Sequence, residues 1–155
     1  MTEKINVRMV MIDLDGTLIN TAPDLADCVN IMLQRMGRDT WPLDKVSGWI
    51  GNGVSRLVKR ALSDSMDGEP DSGEYEKGYA LFLEAYGENV SAKSRPYEGV
   101  VAGLEKLKGM GFRLACVTNK AEAFTLPLLA DLELDGYFEL VVSGESLPRK
   151  KPDPL

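Results

Sequence analysis

The 155-residue sequence predicts an α/β fold, a Rossmann-like parallel sheet core with an inserted helical cap. Three observations lead there. Short apolar runs at Met9 to Ile12, Phe112 to Val117 and Tyr137 to Val142 read as strands of a parallel sheet. Segments with helical spacing accompany the later two runs, in the strand-and-helix alternation from which parallel sheets are built. From Ala22 to Asn89, by contrast, every periodic segment is helical. Such a stretch after the first strand is an insertion, so the expected division is a core of residues 1–18 and 93–155 and a cap of residues 19–92.

The first run is expected to be buried on both faces, and it ends in Asp13-Leu14-Asp15-Gly16-Thr17. Side chains of an extended chain alternate faces, so Asp13 and Asp15 point one way, about 7 Å apart, and Leu14 the other. Two carboxylates that close repel each other unless a cation intervenes. Such a pair can divide into a nucleophile and a general acid/base, or hold a divalent cation against an incoming phosphate. Gly16 permits a sharp turn that presents amides to an anion, and Thr17 adds a hydroxyl. The plainer alternative is a strand followed by an Asp-Gly turn in which both acids only cap and solvate.

Downstream, Thr21 is the expected N-cap of a helix that has Pro23 near its first turn and ends at Gly37. Its apolar face comprises Leu25, Cys28, Val29, Met32, Leu33 and Met36. A short helix is expected from Trp41-Pro42-Leu43-Asp44, and Gly51-Asn52-Gly53 breaks the pattern before Val54, Leu57 and Val58 resume it. Glycines at a helix N-terminus expose amides to an anion, here with Arg56, Lys59 and Arg60 following; a plain interhelical turn is the alternative. A polar loop from Asp67 to Gly73 precedes a helix from Glu74 to about Tyr86, with Gly87 as its expected end. Val100, Val101, Leu104 and Leu107 form a helix that stops at Gly109 and Gly111. The second strand ends in Thr118-Asn119-Lys120, at the carboxyl edge where open α/β sheets bind ligands. The segment Ala121 to Leu132 is helical in composition, and Pro127 must bend it or mark a late first turn. The third strand leads to the basic run Arg149-Lys150-Lys151-Pro152-Asp153-Pro154, which taken alone reads as a solvated loop.

Composition narrows the chemistry. A net charge of −6 with 27% charged residues argues against nucleic acid or an anionic membrane as partner, while a small phosphate ester can still bind through local charges. No stretch is long and apolar enough to span a bilayer, and Met1-Thr2-Glu3-Lys4 lacks the features of a leader, so a cytoplasmic location is expected. Cys28 and Cys116 read as small buried hydrophobes. The absence of histidine leaves proton transfer to carboxylates and lysines.

The motif Asp13-Leu14-Asp15-Gly16-Thr17 resembles the DxDGT signature of the haloacid dehalogenase superfamily of phosphatases. That resemblance implies a nucleophile at Asp13, which becomes an aspartyl phosphate, and an acid/base at Asp15, whose main-chain carbonyl also touches Mg²⁺. Asp13 and Asp15 are thereby the implied metal ligands. Dehalogenase members lack the second acid, so its presence points to phosphate chemistry. Thr118 matches the second motif, a donor to the phosphoryl group with Asn119 beside it, and Lys151-Pro152-Asp153-Pro154 is similar to the third, Lys-Pro-x-Pro. The lysine of that motif offsets the charge of the phosphate and the nucleophile. Trp49-Ile50-Gly51-Asn52-Gly53 is similar to a cap loop of bacterial phosphoglycolate phosphatases that faces the active site, which implies substrate contacts from Gly51, Asn52, Gly53 and Arg56.

The implied activity is Mg²⁺-dependent hydrolysis of a small phosphomonoester, foremost 2-phosphoglycolate, with a sugar-phosphate phosphatase or phosphomutase as the neighbouring alternative. The superfamily's fourth motif, Gly-Asp-x-x-x-Asp, has no counterpart in these residues. The expectation is therefore a fragment of a longer enzyme or a truncated product, with weak Mg²⁺ binding, a tendency to associate and low turnover. A non-catalytic remnant that binds phosphate or another subunit stays open. A signalling receiver domain also phosphorylates an aspartate, but the insertion between Leu18 and Pro96 does not fit one crossover.

Overall fold

A computed structural model describes residues 6–154, so the ends of the expected core, including the residues read for a leader, lie outside the described residues. The chain runs through β1 (Met9–Ile12), β2 (Ile19–Asn20), α1 (Ala22–Arg35), α2 (Leu43–Ser47), α3 (Val54–Ser63) and α4 (Ser72–Asn89). It returns through β3 (Arg95–Pro96), α5 (Val100–Gly109), β4 (Arg113–Val117), α6 (Glu122–Asp131) and β5 (Leu140–Val142). The fold is α/β: β1, β4 and β5 form a parallel sheet in the order β1-β4-β5, and four helices intervene between β2 and β3. No helix among the described residues is long and apolar enough to cross a membrane.

Burial separates the central strand from the outer ones. Leu114, Ala115 and Cys116 of β4 are buried, as an apolar run in a parallel sheet should be. The expectation that β1 is buried on both faces is corrected: Met11 is 71% exposed, because β1 is an outer strand among the described residues. The third apolar run is also shorter than expected. Asp135–Tyr137 is a 3₁₀ turn and pairing begins only at Leu140, while the Tyr137 hydroxyl turns aside to donate to Glu105. Pro127 stands inside α6 and not in a late first turn.

Gly87 does not end α4, which continues to Asn89 because Phe82, Ala85 and Tyr86 are packed into the core. That packing outweighs the roughly 1 kcal/mol a helical glycine costs. Gly78 lets the helices approach: a Cβ there would lie 3.2 Å from Leu62 and 3.3 Å from the sulfurs of Met32 and Met36.

The outgoing and returning chains meet beside the sheet. β2 pairs with β3 antiparallel, and the buried Asp24 carboxylate accepts from the Lys93 and Ser94 N–H groups and from the Ser94 hydroxyl, at 2.6–2.9 Å. Removing the acid leaves these donors without partners, so Asp24→Ala should lower the unfolding free energy by about 3 kcal/mol in urea titration. A loss below roughly 1 kcal/mol would mean that water replaces the carboxylate at no cost.

Cys28 and Cys116 are buried and unpaired, and burial, helped by nearby carboxylates, pushes both thiols up to about 12. In the unfolded chain they ionise near 9.0, so their contribution to stability is complete below that pH and is lost as pH rises toward about 12. Neither thiol should react with a disulfide reagent at pH 8 until denaturant opens the fold. Prompt labelling of the native protein would contradict this burial.

Candidate active site

The sheet register lines up the ends of its strands. Ile12 pairs with Cys116 and Val117 with Val142, so Asp13, Thr118 and Ser143 leave the sheet along one edge. After β1 the chain folds over Leu14, which is fully buried and whose carbonyl accepts from the N–H groups of Thr17, Leu18 and Ile19 at 3.0–3.2 Å. Gly16 takes φ +78°, a conformation that costs other residues about 1–2 kcal/mol, and its N–H bonds the Ile19 carbonyl at 2.9 Å. Leu14 is buried at this turn, while Asp13 is exposed and Asp15 partly so. Thr17 is exposed on the same turn.

Each acid has its own lysine. Lys151 Nζ donates to Asp13 Oδ1 at 2.9 Å and to the Val117 carbonyl at 2.8 Å. The Leu14 N–H also reaches Asp13 Oδ1, so both bonds fall on one oxygen and Oδ2 is left for chemistry. Lys120 Nζ donates to Asp15 Oδ1 at 3.1 Å, and the Thr21 hydroxyl donates to the same oxygen at 2.8 Å. Thr21 therefore does not cap α1 with its side chain as expected, because its hydroxyl serves Asp15. The repulsion anticipated between two neighbouring carboxylates is offset by two separate ammonium groups.

Burial distinguishes the acids. The Asp13 side chain is 47% exposed, whereas that of Asp15 is 14% and its partner Lys120 only 2%. The Lys120 ammonium lies 4.7 Å from the centre of the Tyr86 ring, and the buried Tyr86 hydroxyl has no well-formed hydrogen bond among the described residues. Burial works against the charge on Lys120, but Asp15 and Tyr86 outweigh it and raise its proton affinity, so it stays a cation. Burial pushes the Tyr86 phenol up to about 12.

The remaining expected residues divide into two groups. Thr118 is buried, its hydroxyl accepts from the Lys120 N–H at 3.1 Å, and its own proton remains to be donated. Asn119 Nδ2 donates to the carbonyls of Gly51 at 3.0 Å and Lys151 at 3.2 Å, and its Oδ1 accepts from the Lys151 N–H at 2.9 Å. Gly51, Asn52 and Gly53 are thus brought to the strand ends, with Gly51 and Asn52 exposed. Arg56 is not brought there: its guanidinium bonds Glu69 and the Met66 carbonyl, both at 2.8 Å, and so braces the loop before α4.

Asp15 borders two clefts under the helical layer. One is walled by Leu25, Ile50, Val54, Leu57 and Lys120. The other, of about 260 Å³, is lined by Gly16, Asn20, Thr21, Ser47, Ile50 and Tyr97. Lys120 and Thr21 carried no active-site role in the sequence reading. A lysine directly after Thr-Asn at a strand end, and a threonine six residues beyond an acid, were the available signals.

Among the described residues no cluster of three or more His, Cys, Asp or Glu side chains could hold a metal ion. Asp13 and Asp15 supply carboxylate oxygens at one edge of the sheet, the donor type that a hard cation such as Mg²⁺ takes, one or two at a time, together with waters and substrate phosphate.

A model of the haloacid dehalogenase-like hydrolase family matches residues 10–155. A phosphoglycolate phosphatase of Thiobacillus denitrificans is 54% identical over 149 residues, covering 96% of this chain and 66% of the relative. Another of Nitrosospira multiformis is 53% identical over 149 residues, with the same coverages of 96% and 66%. The crystal structure of a predicted phosphoglycolate phosphatase from Haemophilus somnus superposes with a TM-score of 0.87 at 37% identity, covering 95% of this chain and 67% of that one. The chain thus spans about two thirds of the length of these relatives, 66% of each curated one.

Proposed function

The chain belongs to the haloacid dehalogenase-like hydrolase family, and from that premise we propose that the whole protein is a Mg²⁺-dependent phosphomonoester hydrolase acting on 2-phosphoglycolate. The observation that carries this reading is the unequal pairing of the two acids. Asp13 is exposed and held by one oxygen, as a nucleophile requires, and Asp15 is recessed against clefts under the helical layer, as an acid/base for the leaving group requires. Residues 1–18 and 93–155 form the core in this proposal and residues 19–92 the cap. A small phosphorylated metabolite is the partner and the cytoplasm the location.

Asp13 Oδ2 attacks phosphorus and the bond from phosphorus to the ester oxygen breaks, while Asp15 delivers a proton to that oxygen. Water then attacks the aspartyl phosphate, Asp15 takes its proton, and the bond from phosphorus to Asp13 breaks. Lys151 and the Thr118 hydroxyl bear on the phosphoryl oxygens, whose charge is spread in a loose transition state. Mg²⁺, held by the Asp13 carboxylate and the Asp15 main-chain carbonyl, would supply further charge neutralisation. Thr17 contributes a hydroxyl donor at the mouth of the site, and Gly16, whose N–H is held by the Ile19 carbonyl, shapes the turn that carries it.

The direct test is phosphate release from 2-phosphoglycolate, p-nitrophenyl phosphate and hexose phosphates, with Mg²⁺ and with chelator. The expected result is Mg²⁺-dependent turnover with the highest kcat/KM on 2-phosphoglycolate. Preference for a hexose phosphate, or return of an isomer without free phosphate, would replace this substrate by the sugar-phosphate alternatives.

The cap loop is assigned to the substrate carboxylate. Asn52→Ala should raise KM for 2-phosphoglycolate about fivefold to tenfold, the worth of one hydrogen bond, and leave KM for p-nitrophenyl phosphate nearly unchanged. Arg56→Ala should spare that ratio, since Arg56 is engaged with the loop at Met66 to Glu69. Equal KM shifts for both esters in Asn52→Ala would remove the loop from recognition.

A further inference from the structure

We propose that Asn119 is a positioning residue, a bracket through which the seating of the Gly51-Asn52-Gly53 loop fixes the placement of Lys151. The proposal rests on the phosphatase reading only for the role of Lys151. Its basis is the distribution of the Asn119 amide, all of whose hydrogen bonds go to backbone. One goes to the helical insertion at Gly51, and two go to the main chain of Lys151, whose ammonium holds Asp13. The side chain is therefore used up in joining two segments and has little capacity left for a ligand.

The surroundings make this bracket stiff. Asn119 is 8% exposed, and a Cβ on Gly144 would lie 2.3 Å from its carbonyl oxygen, so the chain after β5 presses directly on its backbone. Gly144 N–H bonds the Lys120 carbonyl at 2.8 Å, and Thr118 N–H bonds the Val142 carbonyl at 2.9 Å. On the other side, a Cβ on Gly53 would lie 2.8 Å from Lys150 Nζ and 3.5 Å from the Asn119 carbonyl. Gly53 takes φ +88°, a conformation that other residues adopt only with strain, so a glycine lets the loop keep this course beside Lys150 and the Asn119 carbonyl. When the loop lifts, Asn119 loses one of its anchors, and the placement of the main chain that carries Lys151 is fixed less tightly though its own bonds to Asn119 remain.

Two variants divide the bracket. Asn119→Asp keeps an acceptor for the Lys151 N–H but cannot donate to the Gly51 or Lys151 carbonyls, and Asn119→Ala removes all three bonds. Hydrogen exchange of the unliganded whole protein reads each joint without any turnover. Asn119→Asp should speed exchange across residues 50–54 while Lys151 stays protected, and Asn119→Ala should speed both segments, with the amides of β4 unchanged as the control for folding. In activity, both variants should lower kcat about tenfold to a hundredfold for 2-phosphoglycolate and p-nitrophenyl phosphate alike, the scale of a misplaced catalytic group. Gly53→Ala, which strains the backbone of the loop at φ +88°, should add no further loss in the Asn119→Ala background.

Unchanged exchange at residues 50–54 in both variants would overturn the bracket. So would fully additive losses of Gly53→Ala and Asn119→Ala. A parent protein with no phosphatase activity but with the expected exchange pattern would instead overturn the functional reading and leave the bracket standing.

Discussion

Asp13→Asn in the whole protein should lower phosphate release by at least about 10⁴-fold, the scale seen when a covalent nucleophile is removed from a preorganised site. The shape of the site survives the change, because the amide oxygen can still accept from Lys151 and from the Leu14 N–H. What is lost is the negative oxygen that attacks phosphorus. The ion pair removed is half exposed, with side chains 47% and 39% accessible, so stability should move by less than about 1 kcal/mol. Phosphate assay and thermal melting on the same preparation check both halves. Turnover within tenfold of the parent would remove Asp13 as nucleophile, and a collapsed melt would show that the acid is structural.

The acid pair proposed for catalysis is legible because its signal is local. An apolar run that stops in two acids, a glycine and a threonine encodes strand, turn and shared face within nine residues, and the structure folds that stretch over Leu14 as the alternation requires. Thr118 and Lys151 were legible for the same reason, each standing beside a strand end or a short proline motif. Properties set by distant partners were not legible. Whether β1 is covered on both faces depends on where it lies in the sheet, which Met9 to Ile12 cannot encode. Thr21 has the composition of an N-cap, yet Asp15 six residues earlier competes for its hydroxyl and wins. Arg56 follows a glycine loop, the setting of an anion-binding residue, but the 66–69 segment offers it a carboxylate and carbonyls. Lys120 is the clearest example. Its role exists only because α4 brings Tyr86 over it and the first turn brings Asp15 to its ammonium.

The passages between sheet and helices show the same dependence on distance. Asp24 sits in the first turn of α1, where an acid is favoured by the helix dipole alone. Its working partners, Lys93 and Ser94, are about seventy residues away in the chain. This bond set joins the outgoing and returning strands beside β2 and β3, at the position where a cap must pivot if it is to admit substrate.

Asp15→Asn should reduce kcat for 2-phosphoglycolate by about 10² to 10⁴, the usual worth of general acid help, and reduce it far less for p-nitrophenyl phosphate. The leaving oxygen of glycolate is strongly basic and departs only with a proton, whereas p-nitrophenolate leaves as an anion. Stability complicates the measurement. Asp15 is the counter-charge of a lysine that is 2% exposed, and stripping a buried ion pair of one member costs about 3–5 kcal/mol. The single variant will therefore melt earlier as well as turn over slowly. Adding Lys120→Met removes the stranded ammonium and fills its apolar surroundings beside Tyr86, so the double variant should regain much of the lost melting temperature. It should not regain turnover of 2-phosphoglycolate, because the proton donor is still absent. Equal losses on the two substrates in Asp15→Asn, or recovery of 2-phosphoglycolate turnover in the double variant, would show that Asp15 acts through folding and not as the acid.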